Sequence, residues 1–140
     1  MIIAIDFDGT IVREDRRYDD VYSPLVLMPS VRPGLESLRR AGHLLVLWSA
    51  RMNRARMYLP EFDPLVRAGH VAPHSSSELH AARWRQMLRF VAAELPGIFH
   101  AIDDGRQGKV CADLYIDNMS IRLGGPEGWS WDDVRRVYGE

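Results

Sequence analysis

The apolar positions of this chain fall into short solid runs separated by amphipathic stretches. Residues 2–6, "IIAID", are apolar and β-branched up to the final aspartate, which predicts a strand buried on both faces. "HLLVLWSAR" predicts a second strand over 44–48 that stops at Ser49, and "ADLYIDN" another that stops at Asp117. A short third strand is expected near 70–72. Ser30 as a cap, Pro33 in the first turn and Gly42 past the end predict a helix over 31–41. Residues 52–69 suggest helical pieces interrupted by Pro60 and Pro64. "SSSELHAARWRQMLRFVAAELPG" carries the strongest helical pattern. Ser75 and Glu78 read as a capping box, and Trp84, Met87, Leu88, Val91 and Leu95 form an i, i+3, i+4, i+7 stripe closed by Pro96 and Gly97. Ser130 and Asp133 open a short helix through Tyr138. Strands alternating with helices predict an α/β fold around a parallel sheet, with ligands at the carboxyl edge. Asp6, Ser49 and Asp117 fall on that edge.

Length and composition narrow the class. The 140 residues fit a single domain, 1–140. A net charge of -1 gives no whole-molecule attraction to nucleic acid or membrane. Cys111 is the single cysteine, so no internal disulfide forms and a reducing cytoplasm is expected. No apolar stretch approaches the roughly 18 residues of a membrane span, and the first residues lack the basic start of a signal peptide. There is no internal repeat or low-complexity segment. Arginine supplies 17 of the 18 basic residues and lysine only Lys109. Either that lysine survived by chance, or its position needs a compact ammonium that a planar guanidinium does not imitate.

The chemistry concentrates at strand ends. A carboxylate at the margin of a core is costly to desolvate unless something pairs it. Asp6 and Asp8 lie two residues apart, repel each other and call for a cation, a proton or a dedicated reaction. Three strands end in Asp6-Phe7-Asp8-Gly9-Thr10, Ser49-Ala50-Arg51 and Asp117-Asn118, and Lys109 lies eight residues before Asp117.

That order of elements resembles the haloacid dehalogenase superfamily of phosphohydrolases, from Met1 to about Gly125. "LVLWSAR", "ADLYIDN" and "GGPEGWSWDDVRRVY" look like its small capless members. The resemblance implies a Rossmannoid three-layer sandwich without a cap domain, because Ile11 to Ser30 is too short for a helical cap and forms a flap at about 11–29. It also implies a Mg²⁺-dependent phosphomonoester hydrolase. Asp6 would attack phosphorus, and Asp8 would protonate the leaving oxygen and then activate water. Ser49, Ala50 and Lys109 would hold the phosphoryl oxygens, while Gly9 permits the turn. Thr10 would bond a carboxylate and border the phosphate. Asp6, Asp117 and the carbonyl of Asp8 would form the metal site, a small set of protein oxygens of the kind Mg²⁺ prefers.

This chain departs from the family pattern in two places. Many relatives carry two acids where it has Asp117-Asn118; Asn118 reaches a metal-bound water but brings no charge. Val110 replaces the proline that often follows the family lysine.

Other residues carry competing readings. "IFHAIDDG" at 98–105 also ends in two acids, but Lys109 follows it rather than precedes it. Asp117 is therefore favoured, with Asp103 and Asp104 read as turn residues. Asp113 should lie at the opposite edge. Arg51 stays open between substrate contact and surface. Arg13, Arg16 and Arg17, interleaved with Glu14, Asp15, Asp19 and Asp20, read as a solvated loop. The five histidines, at 43, 70, 74, 80 and 100, lack zinc-ligand spacing and are read as structural. Trp84 and Met87 read as core, and Cys111 as inert.

The expected substrate is a small phosphorylated metabolite or nucleotide, with a nucleic-acid end as a further class, no membrane partner, and association into a homo-oligomer. A phosphotransferase using the same site and a non-catalytic phosphate- and metal-binding protein are the alternatives. A phospho-receiver domain is disfavoured, because it places its aspartate on a later strand.

Overall fold

The computed structural model describes residues 1–14, 20–49, 51, 76–104, 110–117 and 128–140. Within them the chain runs β1 (Ile2–Ile5), α1 (Val31–Arg40), β2 (Leu44–Leu47), α2 (Ser76–Glu94), β3 (Ala101–Ile102), β4 (Leu114–Ile116) and α3 (Trp131–Tyr138). The four strands form one sheet in the order β3-β2-β1-β4, with every pairing parallel. The α/β class and the parallel sheet are as the sequence pattern predicts.

β1 is interior to the sheet, pairing Ile5 with Leu47 on one side and with Ile116 on the other. That position explains its composition, since a strand covered on both faces has no polar side to show. Ile3, Ala4 and Ile5 are buried, as are Leu45, Leu47 and Ile116 beside them. Transfer of such side chains from water stabilises the fold by about 1.5–3 kcal/mol each.

The helices bring their apolar stripes to the same core. Val31, Leu35 and Leu38 of α1 and Trp131 and Val134 of α3 are buried. These two helices pack closely at Gly34, where a Cβ would stand 2.7 Å from Trp131 Cε3. Met87, Val91 and Leu95 of the predicted stripe are buried, and Trp84 and Leu88 pack against the core. Gly42 ends the first helical segment at φ 83°, a left-handed backbone that glycine adopts without strain. At α3 the capping box is complete. Ser130 Oγ accepts from the Asp133 N–H at 3.2 Å, and Asp133 Oδ2 accepts from the Ser130 N–H at 2.8 Å.

Two expectations need correction. Ser30 does not cap α1 through its side chain; it sits at φ 61°, outside the extended region a side-chain cap requires. Its hydroxyl donates instead to Asp132 Oδ2 at 3.3 Å, a partner one hundred and two residues away. No strand is expected within 98–105, yet Ala101–Ile102 forms β3 beside β2, with Asp103 and Asp104 following it outside the strand. The strand expected near 70–72, the helical pieces at 52–69 and the capping Ser75 lie outside the described residues. Among the described residues, no helix is long and apolar enough to cross a membrane.

Candidate active site

β1 delivers its two aspartates by a tight turn. The carbonyl of Phe7 accepts from the N–H groups of Thr10, Ile11 and Val12 at 3.3, 2.9 and 3.1 Å, and Gly9 turns the chain at φ 75°. A residue with a Cβ is disfavoured in that conformation, which accounts for glycine between Asp8 and Thr10. Phe7 is fully buried and meets Phe90 of α2 edge-on, with ring centroids 6.0 Å apart. Anchoring this ring fixes the chain between the two acids. Beyond the turn, the Met28 N–H donates to the Ile11 carbonyl and the Arg13 N–H to the Val26 carbonyl, each at 2.9 Å. With the antiparallel bridge between Val12 and Leu27, these bonds pair the residues just after the turn with those just before α1.

Asp6 and Asp117 arrive as neighbours. Ile5 and Ile116 are paired in the parallel register, and the Asp6 N–H donates to the Ile116 carbonyl at 3.0 Å, so both acids follow adjacent strand tips. Asp103 follows β3, separated from β1 by β2. Two strand spacings amount to about 10 Å, which supports the choice of Asp117 over Asp103 as the partner of Asp6.

Asp6 carries an electrostatic burden. Burial, above all, pushes its carboxyl from 3.8 up to about 7; the Phe7 N–H opposes this, and the carboxylates of Asp8, Asp117 and Glu14 add to the rise. Glu14 is likewise raised, first by burial and then by Asp8, with Arg83 and Arg51 opposing. Glu14 is exposed, as the charged-loop reading expects, and still adds to the electrostatic surroundings of Asp6 and Asp8.

Arg51 is not a surface residue; it is buried and holds Asp8. Nε and Nη2 reach the two carboxylate oxygens of Asp8 at 2.7 Å each. Nη1 donates to the Arg83 carbonyl and to Gln86 Oε1 of α2, both at 3.0 Å, and the guanidinium lies 5.1 Å from the Phe7 ring centroid. Arg83, itself buried, brings Nη2 to 3.6 Å from Asp8 Oδ2. Sequence reasoning missed Arg83, although the signal was present. It lies four residues before Met87 on the buried stripe of α2, where an arginine needs a buried partner.

Ser49 follows β2 at the same edge, and its hydroxyl accepts from the Arg51 N–H at 3.2 Å, tightening the turn that aims Arg51 at Asp8. Thr10 does not hold a carboxylate as expected. The Phe7 turn buries it completely, and its hydroxyl has no hydrogen-bond partner among the described residues. Its carbonyl accepts from Trp131 Nε1 at 2.9 Å, which ties the turn to α3. Ala50, Lys109 and Asn118 lie outside the described residues, as do Arg16 and Arg17.

The donor set suits a hard cation. Among the described residues no three His, Cys, Asp or Glu side chains group as metal ligands. Mg²⁺, however, usually takes only one or two carboxylates, with water and substrate completing its octahedron. Asp6 and Asp117 meet that requirement, and a cation there would favour the ionised form that burial disfavours in Asp6.

No family model matches the chain, and no curated protein and no solved structure matches it significantly.

Proposed function

We propose that this chain is a magnesium-dependent phosphomonoester hydrolase of the haloacid dehalogenase type, acting through a phosphorylated Asp6. The observation that carries this reading is the arrival of Asp6 and Asp117 at adjacent strand tips, with Asp6 half-buried and raised by burial and by neighbouring carboxylates. A fold that places acids together at a cost in desolvation is explained by a ligand that needs them. Mg²⁺, when bound by Asp6, Asp117 and the Asp8 carbonyl, supplies positive charge that shields the attacking carboxylate from an anionic phosphate.

The chain's own residues account for the remaining steps. A carboxylate oxygen of Asp6 forms a bond to phosphorus as the ester P–O bond breaks. Asp8 gives its proton to the departing oxygen. Water then attacks phosphorus, Asp8 takes a proton from it, and the bond from phosphorus to Asp6 breaks to release inorganic phosphate. Ser49, Ala50 and Lys109 are the proposed phosphate contacts. Asn118 is proposed to contact metal-bound water. Phosphorylated small molecules, including nucleotides, are the proposed substrates, and the absence of a cap is part of the same proposal.

The test is phosphate release from a broad monoester panel, with Mg²⁺ or EDTA, for wild type and Asp6→Asn. Metal-dependent release that Asp6→Asn abolishes is the expected result, with phosphate trapped on Asp6 in mass spectra. A phosphorylated residue other than Asp6 would overturn the mechanism. Magnesium binding without release from any ester would favour a binding protein.

A further inference from the structure

Arginine at position 51 means little by itself in a chain where 17 of 18 basic residues are arginine. Its bonds are what distinguish it. Four directed hydrogen bonds use its planar fork: two to Asp8, one to the Arg83 carbonyl and one to Gln86 Oε1. A lysine has one nitrogen and no fork, so it could keep the charge near Asp8 but not this geometry. The arrangement also reaches the segment before α1, since Gln86 Nε2 donates to the Ser23 carbonyl at 3.5 Å.

We infer that Arg51 is a positioning residue for the reaction: it fixes the orientation of the Asp8 carboxylate relative to Asp6 and references it to α2. This rests on the phosphatase reading, in which Asp8 passes a proton to the leaving oxygen. Four contacts hold the guanidinium and its backbone in place. The Phe7 ring lies against the guanidinium, Ser49 fixes the backbone of Arg51, and α2 supplies two acceptors at the far side. Orientation of this kind matters because proton transfer falls steeply when donor and acceptor are misaligned.

A purely architectural role for the ion pair predicts a different result. If Arg51 only stabilised the fold, Arg51→Lys would reduce turnover equally for every ester. If it orients Asp8, the loss should depend on how much the leaving group needs a proton. The experiment measures kcat/KM with saturating Mg²⁺ for wild type, Asp6→Asn, Asp8→Asn, Arg51→Lys and Gln86→Ala. An alkyl phosphate is compared with p-nitrophenyl phosphate, whose leaving group departs without protonation. Thermal melts establish that each variant is folded.

For Arg51→Lys we expect a loss about 10- to 100-fold larger on the alkyl ester than on the aryl ester, with little further loss when it is combined with Asp8→Asn. Gln86→Ala, which leaves the fork to Asp8 intact, should show the same bias at a smaller size and serves if Arg51→Lys fails to fold. Equal losses on both esters, with Asp6→Asn inactive, would overturn the positioning role and leave the phosphatase reading standing. Wild type without metal-dependent turnover, or active Asp6→Asn, would overturn the reading and the inference together.

Discussion

The two ends of the parallel sheet carry similar residues in opposite circumstances. At the amino end, Asp113 precedes β4, and its Oδ2 accepts the Ile2 N–H at 2.7 Å while its own N–H donates to the Ile2 carbonyl at 2.8 Å. His100 Nδ1 accepts from the Leu45 N–H at 3.0 Å, and His43 Nε2 lies 2.8 Å from the Tyr138 carbonyl. Each polar group there completes a backbone bond at an exposed or half-exposed margin. At the carboxyl end, Asp6 faces Asp8, Asp117 and Glu14, and its carboxyl is pushed up to about 7. Aspartate at a strand end is thus uninformative until its neighbours are known. One end satisfies its acid with a main-chain donor; the other brings acids together, so that burial and like charge raise the carboxyl of Asp6.

The largest effect should separate the ends by activity. Asp6→Asn is expected to lower phosphate release at least about a thousandfold, because no bond to phosphorus can form through the carboxamide. Asp113→Asn should stay within about twofold of wild type. Comparable losses at both ends would dissolve the distinction.

The pH dependence of stability sharpens it further. An acid whose folded value is raised binds its proton in the native state at pH values where the unfolded chain has released it, so stability falls as pH rises. For Asp6 the window runs from the unfolded value near 4 to about 7. In EDTA, wild type should lose on the order of 2–4 kcal/mol across that window relative to Asp6→Asn. In urea titrations the difference is expected to be small at pH 4 and largest near pH 7.5. Mg²⁺ should reduce it, since a bound cation favours the carboxylate.

Third in size is the pair inside the carboxyl end. Arg51→Met leaves Asp8 beside the core without its fork and should cost about 2–4 kcal/mol in denaturant unfolding at constant m-value. At the amino end, Asp113→Ala removes one acceptor at an exposed margin and should cost less than about 1 kcal/mol in the same assay. A larger cost at Asp113 than at Arg51 would reverse the comparison.

What could be read in advance was what depends on neighbours in sequence. β1 announced itself by four apolar residues, the Ser130 and Asp133 pair by its spacing of three, and the strand before Asp117 by its short apolar run. Residues whose surroundings depend on the folded chain were misread or left open. Ser30 gave up a cap for Asp132, and Thr10 was withdrawn into the core by the bonds to the Phe7 carbonyl. Arg51 found its acid 43 residues earlier in the chain and its carbonyl partner on a helix 32 residues later. Local periodicity reports which side of an element is buried, not which polar group waits on the other side of the contact.

The bond from Trp131 to the Thr10 carbonyl has a consequence for how the protein comes into being. Its two ends are 121 residues apart, and β1 itself needs strands on both sides, one of them beginning at Leu114. During synthesis, at about 5–20 residues per second, the turn bearing Asp6 and Asp8 therefore waits several seconds for the indole that secures it. Until then β1 has β2 on one side and an unpaired edge on the other, and the turn that follows it lacks the indole that ties it to α3.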